Sequence, residues 1–186
     1  MNMKKISIVL FTLGFVFIIS GSFSMFLQGL RDDKQQILNR MDDVGDEFEV
    51  FSTNTSVFEE YRDNLYDEVL EGILCDNLKN NNKDISNKLS NYEHLVDELD
   101  SNVLKLSKLC DDVYYPDSET NKKCLNYKII YEQAVNYFVN DIKVYNDSVG
   151  KCNKEFTDGS KIGKYKTNKK YIDYNNDKKY DGKEEK

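Results

Sequence analysis

Proline is almost missing from this sequence; Pro116 is the only one. Proline removes a backbone donor and clashes with the preceding turn, so long proline-free stretches permit long helices. Histidine is equally scarce, with His94 alone, which leaves little material for a catalytic triad, a Cys-His pair or a histidine metal site. No glycine-rich phosphate loop is present. Adjacent acids such as Asp32-Asp33, Asp42-Asp43 and Asp111-Asp112 diverge on a helix and cannot form a carboxylate dyad. Basic charge is also in deficit. The formal charge of -7 argues against a general nucleic-acid or anionic-lipid binder, because phosphate binding needs a basic face. On this inventory the chain is expected not to be an enzyme.

Charge is absent altogether between Lys5 and Arg31. Apolar residues dominate from Ile6 to Ile19 and continue less purely to Leu30. A segment of about 25 residues can span a bilayer with some tilt. Residues 1–30 are therefore expected to form a transmembrane signal anchor. The competing reading is a cleaved signal peptide, with Ser20, Ser22 or Ser24 as the small residues before the cut. The apolar run continues past those sites, which favours the anchor. No cysteine follows the run until Cys75, so a lipid-modified cysteine anchor is not expected. Lys4 and Lys5 on one side are balanced by Arg31, Lys34 and Arg40 on the other, so charge orients the segment weakly.

The cysteines orient the chain better. Cys75, Cys110, Cys124 and Cys152 are even in number and contain no C-x-x-C. Paired cysteines place the domain in an oxidising, extracytoplasmic compartment. The opposing reading is four reduced thiols in a cytosolic bundle. Apolar residues at Ile85, Leu89, Tyr92, Val96, Leu99, Val103, Leu106 and Cys110 alternate by four and three, a helical seam. A second seam runs through Cys124, Tyr127, Tyr131, Ala134, Phe138, Tyr145 and Cys152, and weakens at Asp141, where Ile142 is expected to turn inward. Helices over 85–110 and 121–152 then form an antiparallel hairpin. Cys110 meets Cys124 at its turn, and Cys75 lies beside Cys152 at the other end.

Two earlier helices complete the reading. Ser56 to Glu59 matches a capping box, which predicts a helix start and a helix to about Asn77. Asn77 to Lys83 reads as a turn, with Asp84 the next N-cap. Leu30, Ile37, Met41, Val44, Phe48 and Phe51 predict a helix over 31–51, closed by a turn at Ser52-Thr53-Asn54. The fold class expected is all-α: an antiparallel, up-down-up-down bundle of long helices over 31–153, packed like a coiled coil.

Residues 154–186 change in character. Ten lysines face seven acidic residues there, and aliphatics are few, which predicts a flexible polar tail. Within it, Asp173, Asn175, Asp177, Lys179, Asp181 and Glu184 occupy positions 1, 3, 5, 7, 9 and 12 of a twelve-residue pattern. Over these residues only, the tail resembles an EF-hand or dockerin-type calcium loop, which implies oxygen ligands at those positions and calcium as the cofactor. Lys178 departs from the family's glycine at position 6, and neither a following helix nor a second loop is expected. A plainly solvated tail is the other reading.

Tyr114 and Tyr115 stand beside Pro116 in the loop that Cys110 and Cys124 would close. Exposed adjacent aromatics are enriched at interfaces. They are expected to contact an extracytoplasmic protein partner, unless they fold back on the bundle end. His94 falls on the outer face of its helix. Asn54-Thr55-Ser56 and Asn146-Asp147-Ser148 match glycosylation acceptors. The expected function is a membrane-anchored structural or protein-interaction module. The alternative is a ligand-responsive module, sensing through its helices or binding calcium weakly.

Overall fold

The computed structural model describes the backbone of residues 3–71, 74–111, 113–167, 170–173 and 178–181, with side chains over 28–71, 74–111 and 113–167. Among them are three α-helices: α1 (Met3–Leu65), α2 (Cys75–Cys110) and α3 (Ser118–Glu155). One π-helical turn, Tyr66–Leu70, follows α1, and strands β1 (Lys170–Asp173) and β2 (Lys178–Asp181) close the order. The chain divides into two compact units, Met1–Asp42 and Asp43–Lys186.

The first unit is helical along its described backbone. The segment expected to cross a membrane lies here, and its side chains up to residue 27 are outside the described residues. Among the described residues no helix is long and apolar enough to cross a membrane. Leu30, Ile37 and Leu38 are exposed.

The second unit packs three helices around one core. Ile85, Leu89, Tyr92, Val96, Leu99, Val103, Leu106 and Cys110 of α2 are all buried, following the expected seam, and Leu78 extends it seven residues earlier. On α3 the expected seam positions Tyr127, Tyr131, Ala134, Phe138, Ile142, Tyr145 and Cys152 are buried, Val149 joins them, and Cys124 at the start of the seam is half-buried. From α1 come Val44, Phe51, Phe58 and Leu65, spaced by seven and at most 2% exposed. Burying each contributes about 1.5–3 kcal/mol relative to exposure. Phe58 stacks on Tyr92 at 5.2 Å between ring centroids, and Phe138 meets Tyr92 edge-on at 5.2 Å, so one ring from each helix meets at mid-bundle.

Two expected turns are absent from this bundle. Ser52-Thr53-Asn54 does not break the chain, and Ser56 does not cap a new helix; both lie inside α1. The hydroxyls of Thr53, Thr55 and Ser56 donate back to the carbonyls of Glu49, Phe51 and Ser52. Such back-bonding satisfies short polar side chains within a helix. The buried seven-residue spacing across the segment outweighs its local preference for a cap. The expected second helix is thus a continuation of the first, and the bundle has three helices, up-down-up, instead of four.

The second turn, over Asn77 to Lys83, is also helical. Its trace is a kink at Asn81, where φ is -113° and ψ 16°. Asp84 consequently sits inside α2 and caps nothing. The break between α1 and α2 comes earlier. Glu71 N donates to Tyr66 O across 2.7 Å, the wide turn that ends the π-helix, and Val69 and Leu70 are buried there.

Disulfides join both ends of the α2–α3 pair. Cys75 pairs with Cys152 and Cys110 with Cys124, with Cα atoms 5.2 Å and 5.4 Å apart. The start of one helix is bridged to the end of the other at each end, which requires the two to run antiparallel. The pairing is the expected one, although Cys75 opens α2 instead of closing the helix before it.

Beyond α3 the chain is not a featureless tail. A segment after Phe156 lies against the bundle, with Ile162 only 5% exposed. Farther on, β1 and β2 pair antiparallel, Tyr171 opposite Tyr180 and Asp173 opposite Lys178.

Candidate functional site

The tip of the bundle is built by the chain reversal between α2 and α3. Pro116 disfavours a helical conformation for the residue before it, and Tyr115 lies outside both helices. Asp117 then caps α3, its carboxylate accepting from Thr120 N at 2.7 Å. Hydrogen bonding from Thr120, through its side chain and then its amide, lowers the Asp117 carboxyl below its ordinary range. The Cys110–Cys124 bridge closes the loop from below.

The tip tyrosines separate. Tyr114 is 88% exposed, while Tyr115 is fully buried, so the expectation of two exposed neighbours fails at Tyr115. The reason is hydrogen bonding in addition to packing. Tyr115 N donates to Asn121 Oδ1 at 3.1 Å, Asn121 Nδ2 donates to Tyr115 O at 2.7 Å, and the Tyr115 hydroxyl donates to Leu109 O. Tyr115 is the anchor that fixes the loop, and Tyr114 is the side chain the loop displays. Leu125 and Ile129, one turn apart near the start of α3, are also exposed, at 68% and 52%.

A second polar constellation lies in the core. Asp141 is buried and accepts from Arg62 Nε at 2.9 Å and from the Tyr92 hydroxyl at 3.0 Å. The Arg62 guanidinium also lies 4.2 Å above the Tyr137 ring. Burial, and then the Asp141 carboxylate, pushes the Tyr92 phenol well above its ordinary range. Ile142 turns inward as expected, but Asp141 does too. Asp100 makes a similar pair, accepting from the Tyr131 hydroxyl at 2.9 Å. These tyrosines pack the core, and their carboxylate partners keep its polar atoms satisfied. The signal was present in sequence as charged residues beside seam positions, but which of them turn inward depends on the opposing helix.

Other candidates resolve individually. His94 stands on the outer face of α2, its side chain 73% exposed and 3.6 Å from Glu98. Both glycosylation-type asparagines are engaged: Asn54 donates to Asn102 at 2.7 Å, and Asn146 holds the backbone of Tyr165. Of the calcium-type positions, Asn175, Asp177 and Glu184 lie outside the described residues, and Asp173, Lys179 and Asp181 are strand residues. Among the described residues no group of three acidic, histidine or cysteine side chains could hold a metal. A cleft of about 580 Å³ flanks the Cys75–Cys152 bridge, lined by Leu74, Ser148, Lys151 and Phe156 among others.

Comparison with known protein families, with curated proteins and with solved structures finds no match to this chain.

Proposed function

We propose that this chain is a membrane-anchored, extracytoplasmic structural or protein-interaction module that presents the tip between α2 and α3 to a protein partner and carries no catalysis. The observation that supports it is the division of labour at the tip: Tyr114 is 88% exposed beside a fully buried Tyr115. A rigid loop presenting one aromatic side chain loses little conformational entropy on binding, which suits an interface anchor. The two disulfides fit an oxidising compartment, and residues 1–30 carry the composition of a membrane anchor.

The reading is tested by crosslinking on intact membranes, with the full-length protein and its Tyr114→Ala variant. Loss of a specific crosslinked partner with the variant, with both disulfides retained, supports the tip. Unchanged capture removes the tip from the proposal. Alkylation mapping of the same samples reads the compartment, since four free thiols would place the domain in the cytosol.

A second reading is a ligand-responsive module. What favours it is that α1 has no break between Asp43 and Leu65, where a turn was expected, and that Arg62 near its end grips a buried carboxylate of α3. In its calcium form this reading expects heat on titrating the full-length chain with millimolar calcium. A silent titration ends that form.

A further inference from the structure

After α3 the chain turns back at Gly159, whose φ of +78° is a conformation that favours glycine. Asp158 fixes this turn: it accepts from Ser160 N at 3.0 Å and pairs with Lys79 at the start of α2. The next residues lie extended along the seam between α2 and α3, a strap held chiefly by its backbone. Asn153 Nδ2 donates to Ile162 O at 2.9 Å, and Ile162 N donates to Asn153 Oδ1 at 2.8 Å. Asn146 repeats the arrangement on Tyr165, at 3.0 Å and 2.8 Å.

The two spacings agree. Seven residues of helix between Asn146 and Asn153 advance about 10.5 Å. Three residues of extended chain between Ile162 and Tyr165 advance about 10 Å. Between the asparagines Gly150 gives a low floor; a Cβ there would reach Lys164 Cε at 4.0 Å. Two side chains fill the seam. Ile162 is buried, and the Tyr165 hydroxyl donates to Glu93 Oε2 at 2.7 Å. Lys161, Lys164 and Lys166 make the strap basic, and the α2 side of the seam offers Glu93 and Asp97. Backbone pairing at a fixed register, with pockets for alternating side chains, is how extended peptides are recognised on sheet edges. Here two helical asparagines supply the pairing edge.

We propose that the face formed by Asn146, Gly150 and Asn153 of α3 with Glu93 of α2 is a binding site for extended peptide, and that it accepts the 161–166 segment of a second copy as well as its own. The occupant is specified by the contacts themselves, because every copy carries the Ile-x-x-Tyr segment that satisfies them. From Phe156 to Ser160 the strap meets α2 through the exposed Asp158–Lys79 pair and through Lys79 Nζ 5.2 Å over the half-buried Phe156 ring, and both contacts can re-form when the segment is exchanged between copies. This site is separate from the tip, and the inference does not rest on the function proposed for it.

The test uses full-length chains. An Ile162→Pro/Tyr165→Pro variant removes both filling side chains and both backbone N–H groups that pair with Asn153 and Asn146, which empties the site while keeping both asparagines. A synthetic peptide of residues 158–167 is titrated into it, following the Asn146 and Asn153 side-chain amide signals by NMR. A short flexible linker gives an effective concentration on the order of 1 mM, so the peptide is expected to half-saturate the variant at or below about 1 mM. Wild type should not respond, and adding Asn146→Ala and Asn153→Ala should weaken the peptide at least tenfold. The emptied variant is then mixed with an Asn146→Ala/Asn153→Ala chain, whose strap is intact, and sedimentation is measured. A one-to-one dimer that neither chain forms alone supports strap exchange. Peptide binding without that dimer, at matched millimolar concentration, overturns exchange and leaves a site for free peptides. No response to the peptide in a variant that keeps its helical circular dichroism overturns the proposal entirely.

Discussion

Tyr92 of α2 donates its hydroxyl to Asp141 of α3 across 3.0 Å inside the core, and Arg62 of α1 donates to the same carboxylate oxygen across 2.9 Å. One carboxylate therefore ties three helices together. Its side chain is 6% exposed and that of Arg62 24%, so the ion pair is only partly shielded from water.

Replacing Asp141 with alanine leaves a phenol without an acceptor and a guanidinium without its carboxylate. Removing one partner of a fully buried pair costs about 3–5 kcal/mol. Because Arg62 can swing toward solvent, a loss of about 2–4 kcal/mol is expected here. Tyr92→Phe removes one hydrogen bond and should cost about 1 kcal/mol. Denaturant midpoints for the two variants decide this; equal losses would mean that Arg62 contributes nothing to the cluster.

Alanine at the two tip tyrosines separates display from anchoring. Tyr115→Ala empties a fully buried aromatic site and should cost about 3–5 kcal/mol. Tyr114→Ala should stay within about 0.5 kcal/mol, as exposed substitutions do. Thermal unfolding of each variant measures the contrast, and a destabilised Tyr114→Ala chain would show that this ring packs on the bundle.

The disulfides differ in the length of chain they enclose, with sequence separations of 77 for Cys75–Cys152 and 14 for Cys110–Cys124. In the chain-entropy account a bridge closing a longer loop restricts the unfolded state more, at about 4.5 kcal/mol against about 3 kcal/mol. Serine pairs at Cys75/Cys152 should therefore lower the unfolding midpoint more than those at Cys110/Cys124. The reverse order would point to native-state strain in the longer-range bridge.

Stability should fall in alkali. Burial raises the phenols of Tyr61, Tyr92, Tyr145 and Tyr165, with Asp141 adding to the effect at Tyr92 and Glu93 at Tyr165. A group whose folded pKa lies above its unfolded value contributes stability that is complete below the unfolded value and lost as pH rises toward the folded one. For tyrosine the loss begins near pH ~10. Tyrosinate absorbance measured against helical circular dichroism should show these four phenols ionising only as the bundle unfolds. Ionisation of all thirteen tyrosines with the helices intact would contradict it.

Gly150 lies within the last two turns of α3 under the strap, where a Cβ would make ordinary contact at 4.0 Å. Gly150→Ala should therefore stabilise the chain by up to about 1 kcal/mol through helix propensity. Gly150→Leu should push on Lys164 and loosen the strap, which faster amide exchange at Ile162 and Tyr165 would reveal.

The sequence by itself determined the seams of α2 and α3, the antiparallel order of those helices and both disulfides. Each follows from periodicity along a single helix, and helical geometry converts that spacing directly into a shared face. Where α1 ends was decided elsewhere. Ser52 to Ser56 has the local chemistry of a turn and a cap, but Phe51 and Phe58 are both buried, Phe58 against Tyr92 of α2, and their burial outweighs the preference of a few hydroxyls. The seven-residue spacing of Val44, Phe51, Phe58 and Leu65 was legible, yet it competed with a capping motif that only packing could overrule. Tyr115 and Asp141 turn inward because Asn121, Arg62 and Tyr92 wait for them, and those partners lie six to seventy-nine residues away. The strap is the clearest case: Asn146 and Asn153 became a pairing edge only when an extended segment came to lie against them, a match of two rises that neither segment carries alone.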